Sequence, residues 1–217
     1  MKAKTMVALG GAAAATAGAL GYWLKVRPWH LRWGATPEEV ERRLPGDERV
    51  KEPDLDSTHA ITIHAPADEI WPWLIQMGQG RGGFYSYTWL ENLVGCRMRN
   101  ADRIRPELQH LAVGDRIYLH PKAPPLTVEI LVPGRALVLS ETWGFYLDPI
   151  DARSTRLIVR GRGRFSAQPF PEGRLLRFLV WRLIFEPAHF IMERRMLYGI
   201  KERAERARRP RRLATAA

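Results

Sequence analysis

Residues 126–165 read LTVEILVPGRALVLSETWGFYLDPIDARSTRLIVRGRGRF. Leu126, Val128, Ile130 and Val132 alternate with other side chains, so they share one face of a strand. Pro133-Gly134 then supplies a turn, and Ala136 to Ser140 forms the next strand. Over 142–148 the aromatic pair Trp143 and Phe145 shares a face with Leu147. Over 155–165 Leu157, Val159 and Phe165 face one way, while Arg156, Arg160, Arg162 and Arg164 face the other. Closely spaced strands with short links make an antiparallel sheet.

Upstream, HAITIH at 59–64 and the segment 115–120 predict two more strands, six in all. Between those two, 67–77 has helical spacing with Pro72 near its start, where it should bend or delay the helix. GQGRGG at 78–83 breaks that helix, and a second runs over 85–93. Ahead of the first strand, 33–44 reads as a short helix: Thr36 is placed to cap it, Pro37 starts it and Glu39 completes a capping box. After the meander come an apolar segment at 175–185 and a long helix at 187–208. Strands gathered into one sheet, with the long helix last, give an α+β fold with that helix laid across one sheet face.

The chain has 217 residues and a formal charge of +11, unevenly spread. Residues 1–35 sum to +5, residues 172–217 to +7 and the middle to −1. Nucleic-acid binding fits poorly, because the arginine face of 155–165 carries no interleaved aromatics. Basic ends beside an apolar run fit an anionic membrane surface better. Thr5 to Leu24 is an uncharged run of 20 residues, enough to cross a bilayer as a helix. It ends on Tyr22 and Trp23, residue types that favour the membrane interface. The run predicts a single-pass transmembrane helix. A cleaved signal peptide and a peripheral helix stay open as alternatives. The cations after the run, Lys25, Arg27 and Arg32, at least balance Lys2 and Lys4, which puts the soluble body on the cytoplasmic side of the cell membrane. Seven cations and two acids in 201–217 form a basic tail. The segment 175–185 is too short to span, and is read either as interfacial or as buried. Cys96 is the single cysteine, which excludes an intramolecular disulfide and a cysteine-based zinc site.

A wheel of 187–201 places Ala188, His189, Met192, Met196, Gly199 and Ile200 on one arc. Unbranched methionines there suit either a core or the wall of a ligand cavity. His189 and Glu193 are four apart and could share a proton; these two are the only candidates for catalysis, set against a core histidine beside a surface glutamate. No cofactor is implied: GQGRGG follows a helix, whereas a dinucleotide loop follows a strand and opens the helix. No metal is implied either. Tyr85, Tyr87, Glu91, Asn100, Asp102 and Arg103 form a polar cluster read as loop pinning.

Three blocks carry a family resemblance: WPWLIQMGQGRGGFYSYTWLENLVGC at 71–96, NADRI with PELQHLAVGD at 100–115, and EPAHFIMERRMLYGIKERAE at 186–205. With the element order, they resemble the START-like, SRPBCC superfamily, and within it an uncharacterised bacterial subgroup similar to polyketide cyclases and dehydrases. The resemblance implies a helix-grip fold like that of the pollen allergens. In it, a curved antiparallel sheet of six or seven strands wraps a long C-terminal helix over an apolar cavity. Here Trp143, Phe145, His189, Met192 and Met196 would line the cavity, with Arg81 and Tyr85 at its mouth. The polyketide cyclases' catalytic residues have no residue-by-residue counterpart. The expected layout is an anchor and basic linker at 1–32, the START-like domain at 33–208 and a flexible basic tail at 209–217. The expected function is binding of a hydrophobic small molecule or lipid at a membrane. A cyclase- or hydrolase-like enzyme and a ligand-free scaffold are the rivals. Nothing in the sequence fixes the oligomeric state.

Overall fold

The computed structural model describes residues 17–18, 20–140, 143–163 and 174–206. Strand β1 (Leu55–Ile63) pairs antiparallel with β6 (Ser154–Gly163), joining the first strand of the chain to the last. The others are β2 (Arg116–Ile117), β3 (Leu126–Val132), β4 (Ala136–Leu139) and β5 (Trp143–Asp151), and the spatial order is β1-β6-β5-β4-β3-β2. Every neighbouring pair is antiparallel. The helices are α1 (Arg27–Leu31), α2 (Pro37–Glu41), α3 (Ala67–Ile75), α4 (Thr88–Leu93), α5 (Arg174–Val180) and α6 (Glu186–Arg206). A π-helical turn, Trp181–Phe185, joins α5 to α6, and another, Tyr22–Val26, leads into α1. A six-strand antiparallel sheet with a long last helix is the helix-grip arrangement.

Alternation decides the two faces of the sheet. One face presents Ile61, Ile63, Phe145, Leu147, Leu157 and Val159. They meet Met196, Leu197, Ile200 and Ala204 of α6, and Ile70, Trp73 and Leu74 of α3, in one buried cluster. The other face holds a smaller cluster of Leu44, Ala60, Val138, Tyr146 and Ile158. Thr36 caps α2 as expected, its hydroxyl accepting from Glu39 N–H while the Glu39 carboxylate accepts from Thr36 N–H.

The arginine stripe of 155–165 is not turned to solvent where the structure describes it. Arg156 pairs with Glu39 at 2.6 Å. Arg160 is 4% exposed, and donates to Asp47 at 2.8 Å and to the carbonyls of Glu39, Val40 and Arg42. Alternation assigns a face but not what covers it: α2 and the turn after it lie across these arginines. Arg164 lies outside the described residues. Pro72 sits inside α3 without ending it. The second helix starts at Thr88 rather than at 85, because Tyr85 has φ 58, outside helical space.

Among the described residues, no helix is long and apolar enough to cross a membrane. Residues 5–16 and 19 of the uncharged run, and the tail 209–217, lie outside the described residues. The stretch read as a basic linker packs on the C-terminal helices. Arg27 makes a two-point pair with Glu186, at 2.8 and 3.2 Å, and Trp23 stacks on Phe178.

Candidate functional site

Helix α6 packs on the main core face of the sheet, and its 3.6-residue period puts His189, Met192, Glu193 and Met196 on one flank. Glu193 is 3% exposed, so it is a buried carboxylate rather than a surface one. His59 Nδ1 lies 2.8 Å from its Oε2, and the Trp143 indole N–H donates to its Oε1 at 2.8 Å. Alternation in β1 aims His59 at α6 together with Ile61 and Ile63. The other ring nitrogen of His59 donates to the His30 carbonyl at 2.7 Å. Both nitrogens therefore face oxygens that accept, and a proton bridges His59 and Glu193.

The polar chain continues outward. His30 Nε2 lies 3.1 Å from Glu186 Oε1, and Glu186 also holds Arg27 and Arg182, the latter at 2.7 Å. Burial pushes Glu186 up, but hydrogen bonds from His30, Arg27 and Arg182 outweigh it and hold its carboxyl at about 2. Burial likewise pushes Glu193 up. The facing His189 and His59, with the hydrogen bonds from His59 and Trp143, bring it down to about 2. Desolvation lowers His189 from its ordinary value. His189 Nδ1 is 3.6 Å from Glu193 Oε2, too long for a hydrogen bond, and its side chain is 27% exposed.

Of these groups, His189 and Glu193 reach the wall of a largely apolar cavity of about 260 Å³ between the sheet, α4 and α6. Phe84, Trp143, Trp181, Phe185, Met192 and Met196 supply much of the wall. Ser86 belongs to it too, its hydroxyl donating to the Met192 carbonyl at 2.8 Å. The arrangement can enclose an apolar molecule. Chemically, His189 can take up or release a proton at the wall, with Glu193 close enough to favour its imidazolium.

Of the seven residues expected at the cavity, the structure brings together Trp143, His189, Met192 and Met196. Phe145 lies beneath them instead, fully buried in the core, its ring 4.9 Å from that of Trp143. Tyr85 is also core. Its hydroxyl donates to the Trp73 carbonyl at 3.0 Å and accepts from Gln76 at 3.0 Å. Arg81 folds back onto the carbonyls of Ile75, Met77 and Leu108, and borders a separate polar cleft formed with residues 99–107. The glycine loop explains both placements. A Cβ at Gly83 would meet the Arg99 carbonyl at 2.6 Å, while Asn100 clamps the loop by accepting from Tyr85 N–H and donating to the Ser86 carbonyl. Asn100 and Asp102 thus pin the loop as expected, Asp102 through Arg203 at 3.3 Å.

Glu91, grouped by sequence with that loop, faces the cavity instead. Trp181 and Phe185 were not anticipated there either, nor was His59 as the partner of Glu193 behind the wall. Alternation in β1 could have placed His59 toward α6, but no local signal names its partner. Among the described residues, no group of three His, Cys, Asp or Glu is placed to hold a metal ion.

No family model matches the sequence, and no curated protein matches it. Among solved structures, the chain is similar to a polyketide-cyclase-like protein from Corynebacterium glutamicum determined in solution. The two are 16% identical, and the match covers 74% of this chain and 93% of that one with a TM-score of 0.31.

Proposed function

We propose that the chain is a membrane-held domain that binds a hydrophobic small molecule or lipid. The observation that carries this reading is the cavity: an aromatic and methionine wall interrupted by a few converging polar groups, the make-up of a small-molecule site. The polar spot at Glu193 serves to orient a ligand, since buried polar groups give an apolar site its specificity. Organic extraction of protein purified from its host, followed by mass spectrometry of the extract, tests it. One apolar compound in stoichiometric amount supports the reading, and its absence opposes it.

Membrane attachment is the second part of the proposal. Leu20, Leu24 and Trp29 ahead of the domain, and Leu176, Leu179, Leu183 and Ile184 beside the cavity, expose apolar side chains. They continue from the uncharged run 5–24, with Lys25 and Arg32 close by. Such a surface suits the apolar–polar boundary of a bilayer on its cytoplasmic face. Full-length protein should stay with membranes in high salt, and release by salt alone contradicts a spanning segment.

A cyclase- or hydrolase-like enzyme is the rival, favoured by His189 standing in the cavity wall beside Glu193. It requires the compound recovered from His189→Ala protein to differ in mass from that recovered from the wild type.

A further inference from the structure

Glu91 of α4 stands in the cavity wall, 8% exposed. Its Oε2 is buried without a hydrogen-bond partner among the described residues. Buried carboxyl oxygens are ordinarily satisfied, and an orphan of this kind calls for a donor. A second observation is independent of it. The same cavity is walled by four aromatic side chains, Phe84, Trp143, Trp181 and Phe185. Ring faces attract cations, most strongly where water is excluded. We propose that the cavity takes a protonated amine with an apolar body, its ammonium seated on Glu91 against these rings.

The other charged groups of the cavity fit this assignment. Glu193 is already engaged by His59 and Trp143, so it does not compete for the ammonium. Desolvation draws His189 toward its neutral form against the pull of Glu193, which weakens its repulsion of a cation. No lysine lines the cavity among the described residues. Arg162, the arginine that does, lies 3.7 Å from Asp47 and 3.7 Å from Asp56. Cys96, in the turn after α4, is pushed up by burial and by Glu91. A ligand carboxylate would meet two acidic side chains and no cation in reserve, whereas an ammonium donates charge-assisted hydrogen bonds. Burial pushes the empty Glu91 carboxyl up to about 7. Amine binding therefore favours its ionised form and strengthens as pH rises through that value.

The inference rests on the reading of the cavity as an apolar ligand site, and the test separates the two. Hexylamine, hexanol and hexanoate are titrated calorimetrically into the full-length chain in lipid nanodiscs, with empty nanodiscs as the blank. Hexanol binding reports the cavity; the ratio of hexylamine to hexanol affinity reports Glu91. At about pH 8 that ratio should be about tenfold or more, and it should fall by about tenfold at pH 6, where Glu91 is largely protonated. Glu91→Gln should bring the ratio near one, and hexanoate should bind weakest. Equal affinities for amine and alcohol, or a ratio unchanged by pH or by Glu91→Gln, overturn the amine site and leave the cavity reading standing. Absence of binding by all three probes overturns both. If Glu91→Gln does not fold, the wild-type pH dependence decides alone.

Discussion

His59 on β1 and Glu193 on α6, 134 positions apart in the chain, meet at 2.8 Å, with His59 behind the cavity wall that Glu193 lines. The contact fixes the helix against the strand at the point where the wall opens, and orients the carboxylate between two imidazoles and an indole. Removing one partner of a buried pair leaves the other charge uncompensated. Glu193→Ala should therefore cost ~3–5 kcal/mol by chemical denaturation. Glu193→Gln retains the shape and part of the hydrogen bonding, and should cost less. A loss below ~1 kcal/mol for the alanine variant would show that the pair is not closed in solution.

The carboxyls make the stability depend on pH in two opposite directions. Glu193 and Glu186 are both held at about 2. Their contribution is fully present above the ordinary carboxylate range near 4.5 and lost as pH falls from there through about 2, roughly 3 kcal/mol each. Glu91 has the opposite sign. Its folded value of about 7 lies above its unfolded one, so the native state binds the extra proton between about 4.5 and 7. Stability should thus fall by roughly 3 kcal/mol as pH rises across that window. Denaturation curves of Glu91→Gln should lack this decline; a variant that keeps it places Glu91 in water.

Strand alternation was legible in 155–163, where Leu157 and Val159 share the core face, but not in 126–132: a register break between Val128 and Ile130 leaves Val128 and Leu131 on the main core and turns Ile130 to the opposite face. The capping box at Thr36 was legible because it is local. The centre of the site was not. His59, His30, Glu186 and Glu193 join through contacts between distant segments, and no spacing rule links a β1 histidine to an α6 glutamate. Tyr85 misled for a related reason. An aromatic beside a glycine loop suits a cavity mouth, but its left-handed backbone turns the ring inward. Glu91 looked like one more polar residue of that loop because a six-residue helix has too little pattern to show which face is buried.

Met192 and Met196 both line the cavity, but Met196 is the more deeply packed. Met196 is 2% exposed, and Met196→Ala should cost ~2–5 kcal/mol. Met192 stands half-buried at the cavity, so its truncation should cost clearly less. Equal, large losses from the two, measured in the same denaturant series, would mean the cavity is closed around Met192 in solution.

Gly199 of α6 lies against Tyr85. A Cβ there would strike the Tyr85 carbonyl oxygen and approach the Tyr85 Cβ at 2.7 Å. Gly199→Ala would normally favour a helix, yet here it should destabilise by ~1–3 kcal/mol because the neighbour is backbone. A gain in melting temperature would show that α6 sits farther from the glycine loop.

Native mass spectrometry of the full-length chain, released from host membranes as wild type and as Met192→Trp, tests the central claim most directly. Tryptophan at 192 adds bulk to the cavity of about 260 Å³ without touching the Glu193 hydrogen bonds. The account predicts a non-covalent small-molecule mass on the wild type that is absent from Met192→Trp. Bare protein in both samples, or the same adduct on both, would contradict it.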